Sequence, residues 1–446
     1  MSNFVDKIKD AGVIGAGGAG FPSYVKYQSP DVDYIIANGA ECEPLLCVDK
    51  HIMETKAKEI VGALSEAVEF LKAKGAFIAL KGKNKDAVKA LECEISKIDK
   101  SRIKVFILGD FYPAGDEFVM TYEVLKRIVP EGGIPIKVGT VVNNVFTFVN
   151  IYNALKGIPV TERIVTVNGR VKEPYTAYLP VGISVKDALK LAGGPEGGDY
   201  KVILGGPMMG KIIDDLSQPV TQTTSGIIVL PSDHVLIRRK ERALATEARI
   251  GRSACDQCRM CTDTCPRYLL GHDLEPHMIM RTLPYKNISS DTVSSAYLCC
   301  ECNLCAYYSC PLFLSPGVIA ANLKKELASA GVKRQTSKKE DDYRIRIFRN
   351  YRRIPTGRLI SRIGLADYKK DAKFKDIKIE PSKVKMPLKA HIGAPSMPSV
   401  KIGSKVKKDE LIAKAPEGAL GVNLYASIDG KIADIKNGFI EIIREN

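Results

Sequence analysis

No apolar run in the 446-residue chain is long enough to cross a bilayer, so any membrane role is peripheral and no transmembrane segment is expected. Residues 1–10 lack the apolar core of a secretory signal, which points to an intracellular protein with reduced thiols and excludes a disulfide framework. Of only five histidines, His272 and His277 alone sit at anything like metal-pair spacing, and capping or packing accounts for them better. The net charge of +15 comes without a nucleic-acid motif, so no nucleic acid is expected as a partner. Much of the excess lies in residues 333–389, with RIRIFR at 344–349 and YRR at 351–353, and reads as a solvated basic linker that offsets anionic groups.

What is present in number is cysteine, at the spacing that makes it a ligand. Cys255, Cys258, Cys261 and Cys265, followed by Pro266, form C-x2-C-x2-C-x3-C-P. That run wraps three thiolates round one 4Fe–4S cluster and sends the fourth to another. Cys299, Cys302, Cys305 and Cys310, followed by Pro311, repeat it with four residues instead of three before the last cysteine. The crossing rule assigns one cluster to Cys255, Cys258, Cys261 and Cys310, and the other to Cys299, Cys302, Cys305 and Cys265. Structural zinc favours two separated C-x2-C pairs per site, which this is not. Cys300 falls outside the rhythm, and Cys47 and Cys93 are given no role.

The length calls for several domains. Residues 1–158 alternate strands and helices: a helix near 50–74, a strand at 77–80, a helix at 85–95, a strand at 103–108, a helix before Pro130, and a strand ending at Asn144 that leads into a helix to residue 156. That is an α/β domain with a mostly parallel sheet. Residues 159–231 read as a small α+β domain, with a two-residue turn at Asn168-Gly169. Residues 232–332 are mostly helical, and the 33 residues between Cys265 and Cys299 leave room for helices. Their last helix has Ser315 as N-cap and Pro316 at N1. The basic linker spans 333–383. Residues 384–446 form short strands between glycine turns, in the manner of a biotinyl/lipoyl-type barrel sandwich, but GALGVNL at 418–424 carries no lysine to modify.

Gly15, Gly17 and Gly20 satisfy G-x-G-x-x-G, yet only Val13-Ile14 precede them and Pro22 follows, a poor context for a dinucleotide turn. A ligand-free tight turn fits as well; glycines here would also let backbone N–H groups approach a phosphate or a flat ring. With Lys26, the stretch 38–44, the stretch 112–117 and Val142–Asn144 with Thr147, the loop resembles the FMN-binding flavoprotein subunit of respiratory complex I. It also resembles the relatives of that protein, the C subunit of the Rnf ion pump and the cobalamin reductases of propanediol-utilisation microcompartments. GGPMMG at 205–210 and both cysteine runs extend the resemblance over nearly the whole chain. In the Rnf proteins the barrel sandwich precedes the flavin domain. Here it comes last, the order of the microcompartment reductases.

The resemblance implies a multidomain α/β protein: a complex I flavoprotein-like FMN domain, a β-grasp (SLBB-like) domain, a helical two-cluster ferredoxin domain and a barrel-sandwich module. It implies FMN contacts at Gly15, Gly17, Gly18, Lys26, Asn38, Glu41, Cys42, Tyr112, Gly115, Asp116, Asn143, Asn144 and Thr147, with Glu43 and Glu117 near the nicotinamide nucleotide. Cys42 stands where the complex I protein has serine, as a thiol near the flavin or a small packing residue. Backbone N–H groups and Lys26 would seat the phosphate. The implied activity is an NADH-oxidising flavin/iron–sulfur reductase of cobalamin. Its implied partners are cobalamin or a cobalamin-carrying adenosyltransferase, together with shell or enzyme components of a cytoplasmic microcompartment. The alternative is an Rnf-type electron-entry subunit of a membrane ion pump.

Overall fold

The computed structural model describes residues 2–98, 102–285, 287–334, 338 and 342–445. Four parallel strands open it: Tyr34–Gly39, Gly75–Lys81, Ile103–Leu108 and Thr140–Asn144. The spatial order runs 103–108, 75–81, 34–39, 140–144. The chain therefore steps one way from the first strand and returns to its other side for the last. In open α/β sheets that reversal leaves a crevice at the carboxyl ends of the two strands concerned, here Asn38 opposite Asn144. The expected single helix over 50–74 is two helices, Val48–Thr55 and Ala57–Leu71, broken at Lys56. The break frees the first to point its N-terminus into the crevice.

A mixed five-stranded sheet follows, in the order 175–180, 162–169, 226–231, 200–204, 211–213, with the helix Val185–Leu191 capped by Ser184. Asn168 and Gly169 are not a turn: they end the strand Glu162–Gly169 and pair with Ile228 and Val229. A side chain on Gly169 would strike the Val229 carbonyl at 2.1 Å, so the glycine serves close strand approach. This sheet leans on the first unit through Asn168, which donates to the Leu45 carbonyl, and Thr166, which accepts from the Cys47 amide.

Between 235 and 329 the described residues form short helices joined by loops, ending in Pro316–Ser329, whose Ile319 and Ala320 are buried and whose Leu323 and Leu327 pack against the same cluster. Ser315 precedes that helix, but its hydroxyl caps nothing. Its amide donates to the buried Glu247 carboxylate instead.

The solvated linker is corrected by the structure, apart from residues 335–337 and 339–341, which lie outside the described residues. Ile354-Pro355 pairs with Phe111-Tyr112, and Leu359 and Leu365 are fully buried. Arg349 is buried against Glu123, which also takes Arg353. Ion pairing across the chain lets these arginines leave water, and the segment straps the first unit to the helical unit. Two small sheets finish the chain around Val384, Met386, Ile412, Ile432, Ile440 and Ile442. They brace the glycine loop from outside: the Ile392 amide donates to the Gly20 carbonyl. Among the described residues no helix is long and apolar enough to cross a membrane.

Candidate functional site

The crevice between strands 34–39 and 140–144 is a cavity of about 330 Å³. It brings together Gly15, Gly17, Lys26, Asn38, Glu41, Cys42, Glu43, Tyr112, Gly115, Asp116, Glu117, Asn143 and Asn144. Gly18 points away into solvent, and Thr147 stands behind the wall, where its hydroxyl accepts from the Ala16 amide at 3.0 Å. The glycine loop is not a strand-to-helix turn. Ile14 and Pro22 bridge its ends, and the Gly15 amide donates to the Phe21 carbonyl. The amides of Gly17, Gly18 and Ala19 are left without a partner among the described residues. Asn144 ends its strand and caps the helix Val145–Leu155 by accepting from the Phe146 amide, so the positive end of an 11-residue helix also faces the cavity.

Several expected contacts already have work in the protein. Lys26 pairs with Glu117 at 3.0 Å and donates to the Val142 carbonyl, so its ammonium is already engaged. The Glu43 carboxylate accepts from the Met208 and Met209 amides, both at 2.8 Å, and so clamps the GGPMMG loop. Asp116 caps the helix Glu117–Leu125 and forms a two-pronged pair with Arg267 from the helical unit. Asn143 donates to the Tyr27 hydroxyl, and Asn38 to the Gly115 carbonyl. Cys42 accepts from the Gly115 amide, and burial pushes its thiol up to about 11, so it stays protonated near neutral pH.

Asp49, Arg163, Met209, Ser225, Cys300 and Cys302 also line the cavity, and the sequence had not placed them there. Glu41 accepts from the amides of Asp49 and Lys50, at the start of helix Val48–Thr55. Enclosure and the neighbouring Asp49 nevertheless raise its carboxyl to about 8. The sign follows: the folded chain holds a proton that the unfolded chain has released, so stability falls as pH rises from about 4.5 to about 8. Glu41→Gln should flatten that fall, seen as a loss of a few degrees (~2–6 °C) in the flavin-free parent's melting temperature across the window but not in the variant's. A parallel fall in both would show that another group titrates.

The two cysteine runs have the same backbone. Gln257 and Arg259 in the first, and Glu301 and Asn303 in the second, all take positive φ, at 57°, 66°, 56° and 57°. Only asparagine among them tolerates that region well, so unrelated residues are held in one strained loop shape, as at functional sites. The extra residue of the second run is absorbed as a π-helical turn over Cys305–Ser309, where the first run has the helix Met260–Asp263. Cys265 joins Cys299, Cys300, Cys302 and Cys305 round a small cavity beside Gly317, whose missing side chain would otherwise sit 3.3 Å from the Cys305 sulfur. Cys302 lines both this cavity and the crevice, and its carbonyl accepts from the Tyr112 hydroxyl at 2.8 Å. The Glu301 and Leu314 amides approach the Cys299 and Cys310 sulfurs. Cys258 is exposed, while Cys255 and Cys310 are half-buried. Among the described residues no three side chains converge as ligands of a single ion do.

Known families match in register with these units: a Nuo51 FMN-binding domain over residues 8–153, an SLBB domain over 164–211, a 4Fe-4S dicluster domain over 254–315 and an RnfC barrel sandwich hybrid domain over 363–443. The cobalamin reductase PduS of Citrobacter freundii is 40% identical over 98% of this chain and 96% of its own. That of Salmonella typhimurium is 39% identical over the same shares. The C subunit of the proton-translocating ferredoxin:NAD(+) oxidoreductase complex of Clostridium ljungdahlii is 33% identical over 59% of this chain and 55% of its own. In fold, a chain of the NAD+-reducing NiFe hydrogenase in its H2-reduced state superposes with a TM-score of 0.50 at 20% identity, covering 74% of this chain and 63% of that one. With likeness along its full length and all four constituent domains in place, the chain belongs to the PduS cobalamin reductase family of FMN and 4Fe–4S oxidoreductases.

Proposed function

We propose that this protein oxidises NADH and delivers electrons one at a time to cobalamin, supplying a partner adenosyltransferase inside a bacterial microcompartment. The observation that carries the reading is likeness to a cobalamin reductase along 98% of the chain. Relatives from the ion-translocating complexes match over only 59% of it, which makes the ion-pump reading the weaker one.

The residues fit the cofactors. Free amides of the glycine loop, the N-terminus of helix Val145–Leu155 and a buried guanidinium with one unpartnered nitrogen line a crevice suited to a flavin phosphate. Eight cysteines on two matching loops suit two cubanes. Bound there, FMN accepts a hydride and releases electrons singly, which lets it stand between NADH and one-electron centres. The chain's own part is positioning. Asn38 fixes the Gly115 turn against Cys42, and Asp116–Arg267 together with Tyr112–Cys302 fix the cysteine loops to the flavin crevice. The Glu117–Lys26 pair stands at the half-exposed mouth, where the nucleotide would enter. The amides on the cysteine sulfurs would tune potential. That Cys302 lines the crevice while Cys258 is exposed supports the reading of Cys265, Cys299, Cys302 and Cys305 as the crevice-side set.

Anaerobic NADH oxidation with cobalamin, ferredoxin or quinone as acceptor tests the reading. Cobalamin should be reduced fastest; preference for ferredoxin or quinone would overturn it. The ligand sets have their own test. Cys310→Ser should perturb the same EPR signal of the reduced protein as Cys258→Ser, and Cys265→Ser the same as Cys302→Ser. The opposite pairing would show that each run closes on itself.

A further inference from the structure

Arg163 is 1% exposed, the second residue of the strand Glu162–Gly169, yet its guanidinium reaches out of its own sheet to the glycine loop. Its Nε donates to the Thr224 carbonyl and its Nη2 to the Ala16 carbonyl, at 2.8 and 2.9 Å. The Phe146 ring lies 5.0 Å from its centre. Its Nη1 has no partner, and no carboxylate comes within ion-pair reach among the described residues. Asp49 lines the same cavity, but its carboxylate is bonded by Asn144, and burial raises its pKa, which disfavours the charge that would neutralise Arg163.

A buried guanidinium with an empty donor is costly unless an anion completes it. Ser225 and the free amides of Gly17 and Ala19 line the same space. Backbone amides in such a nest beside an arginine suit a phosphate monoester. Lys26, the cation expected for this role, is already held by Glu117 and the Val142 carbonyl.

We propose that Arg163 receives the phosphate of FMN, so that the cofactor site of the first unit is completed by a residue of the second. This rests on the reading of the crevice as the flavin site. It predicts that Arg163 separates FMN from riboflavin, which differ by that phosphate alone.

The test is flavin exchange on the full-length, cluster-loaded chain, titrated with FMN and with riboflavin and read by flavin fluorescence. Arg163→Met should weaken FMN by about 10- to 100-fold, the size of a lost charge-assisted bond, and riboflavin by less than about threefold. Arg163→Lys should fall between the parent and the Met variant for FMN, and it decides the question if the Met variant does not fold. Equal weakening of both flavins in the folded variant would overturn the proposal and leave Arg163 as a brace for Ala16 and Thr224. A parent chain that binds neither flavin would instead overturn the reading of the crevice itself.

Discussion

Cys302→Ser should leave NADH able to bleach the bound flavin, yet slow cobalamin reduction at least about 100-fold, a loss of about 3 kcal/mol in the limiting step. The reason is position. Cys302, with its neighbour Cys300, lines both the crevice and the small cysteine-lined cavity, so the two sites meet there. Its carbonyl, which holds the Tyr112 hydroxyl, belongs to the backbone and survives the substitution. On the proposed reading, the hydride acceptor is seated by Asn38, Gly115 and the glycine loop, and the variant alters none of them. Transfer to a small two-electron dye should therefore stay within about threefold of the parent. Cys258→Ser, at the exposed set, should give the same split. One anaerobic stopped-flow series with both acceptors measures every arm. Cobalamin reduction at the parent rate in either variant would mean that electrons leave straight from the flavin, and the cysteine loops would then be structural or serve another acceptor.

The cysteine runs were legible because ligation fixes spacing, and spacing survives in one dimension. Even the one-residue excess of the second run was visible; its resolution as a π-helical turn was not, because that depends on how Cys310 must face the Leu314 amide and how Cys305 packs beside Gly317. The parallel sheet was legible from its apolar strands, and so was Asn144 as a strand end, but the strand Tyr34–Gly39 was not, because Asn38 reads as the start of a loop. What stayed hidden is what depends on a second element. Arg163 looks like an outward residue of a strand until the glycine loop is laid over it. Asp49 looks like an ordinary first-turn acid until Asn144 bonds it. Arg349 reads as solvated charge because its partner Glu123 lies 226 positions away. Glu43 was expected at the nucleotide, but the amides that occupy it belong to Met208 and Met209, over 160 positions on. A basic residue at the start of an otherwise apolar strand, as in Arg163-Ile-Val-Thr-Val167, is the one signal that could have pointed to any of these.

Asn144→Asp should lower FMN affinity about 100-fold while leaving the fold in place. The Asn144 amide nitrogen donates to Asp49 at 2.9 Å and to the Asn38 carbonyl at 3.3 Å, and its oxygen caps the helix Val145–Leu155. Aspartate caps a helix as well as asparagine does, so the melting temperature should move by no more than a few degrees (~2–4 °C). The donor, however, is lost, and two carboxyls then face each other at hydrogen-bond distance in an enclosed site. They cannot both ionise, and the negative charge they keep opposes an incoming phosphate dianion. Dye reduction and cobalamin reduction should therefore fall together at limiting FMN, unlike in the cysteine variants, and both should return at excess FMN. Lower pH should restore part of the affinity by protonating the carboxyl pair that the new side chain forms with Asp49, whereas Asn144→Ser, with no new charge, should show a smaller loss and no such rescue. Equilibrium titration at two pH values reads all of this. An FMN affinity within about threefold of the parent at both would place the phosphate away from Asn144, and the anion-seating role of this end of the crevice would fall with it.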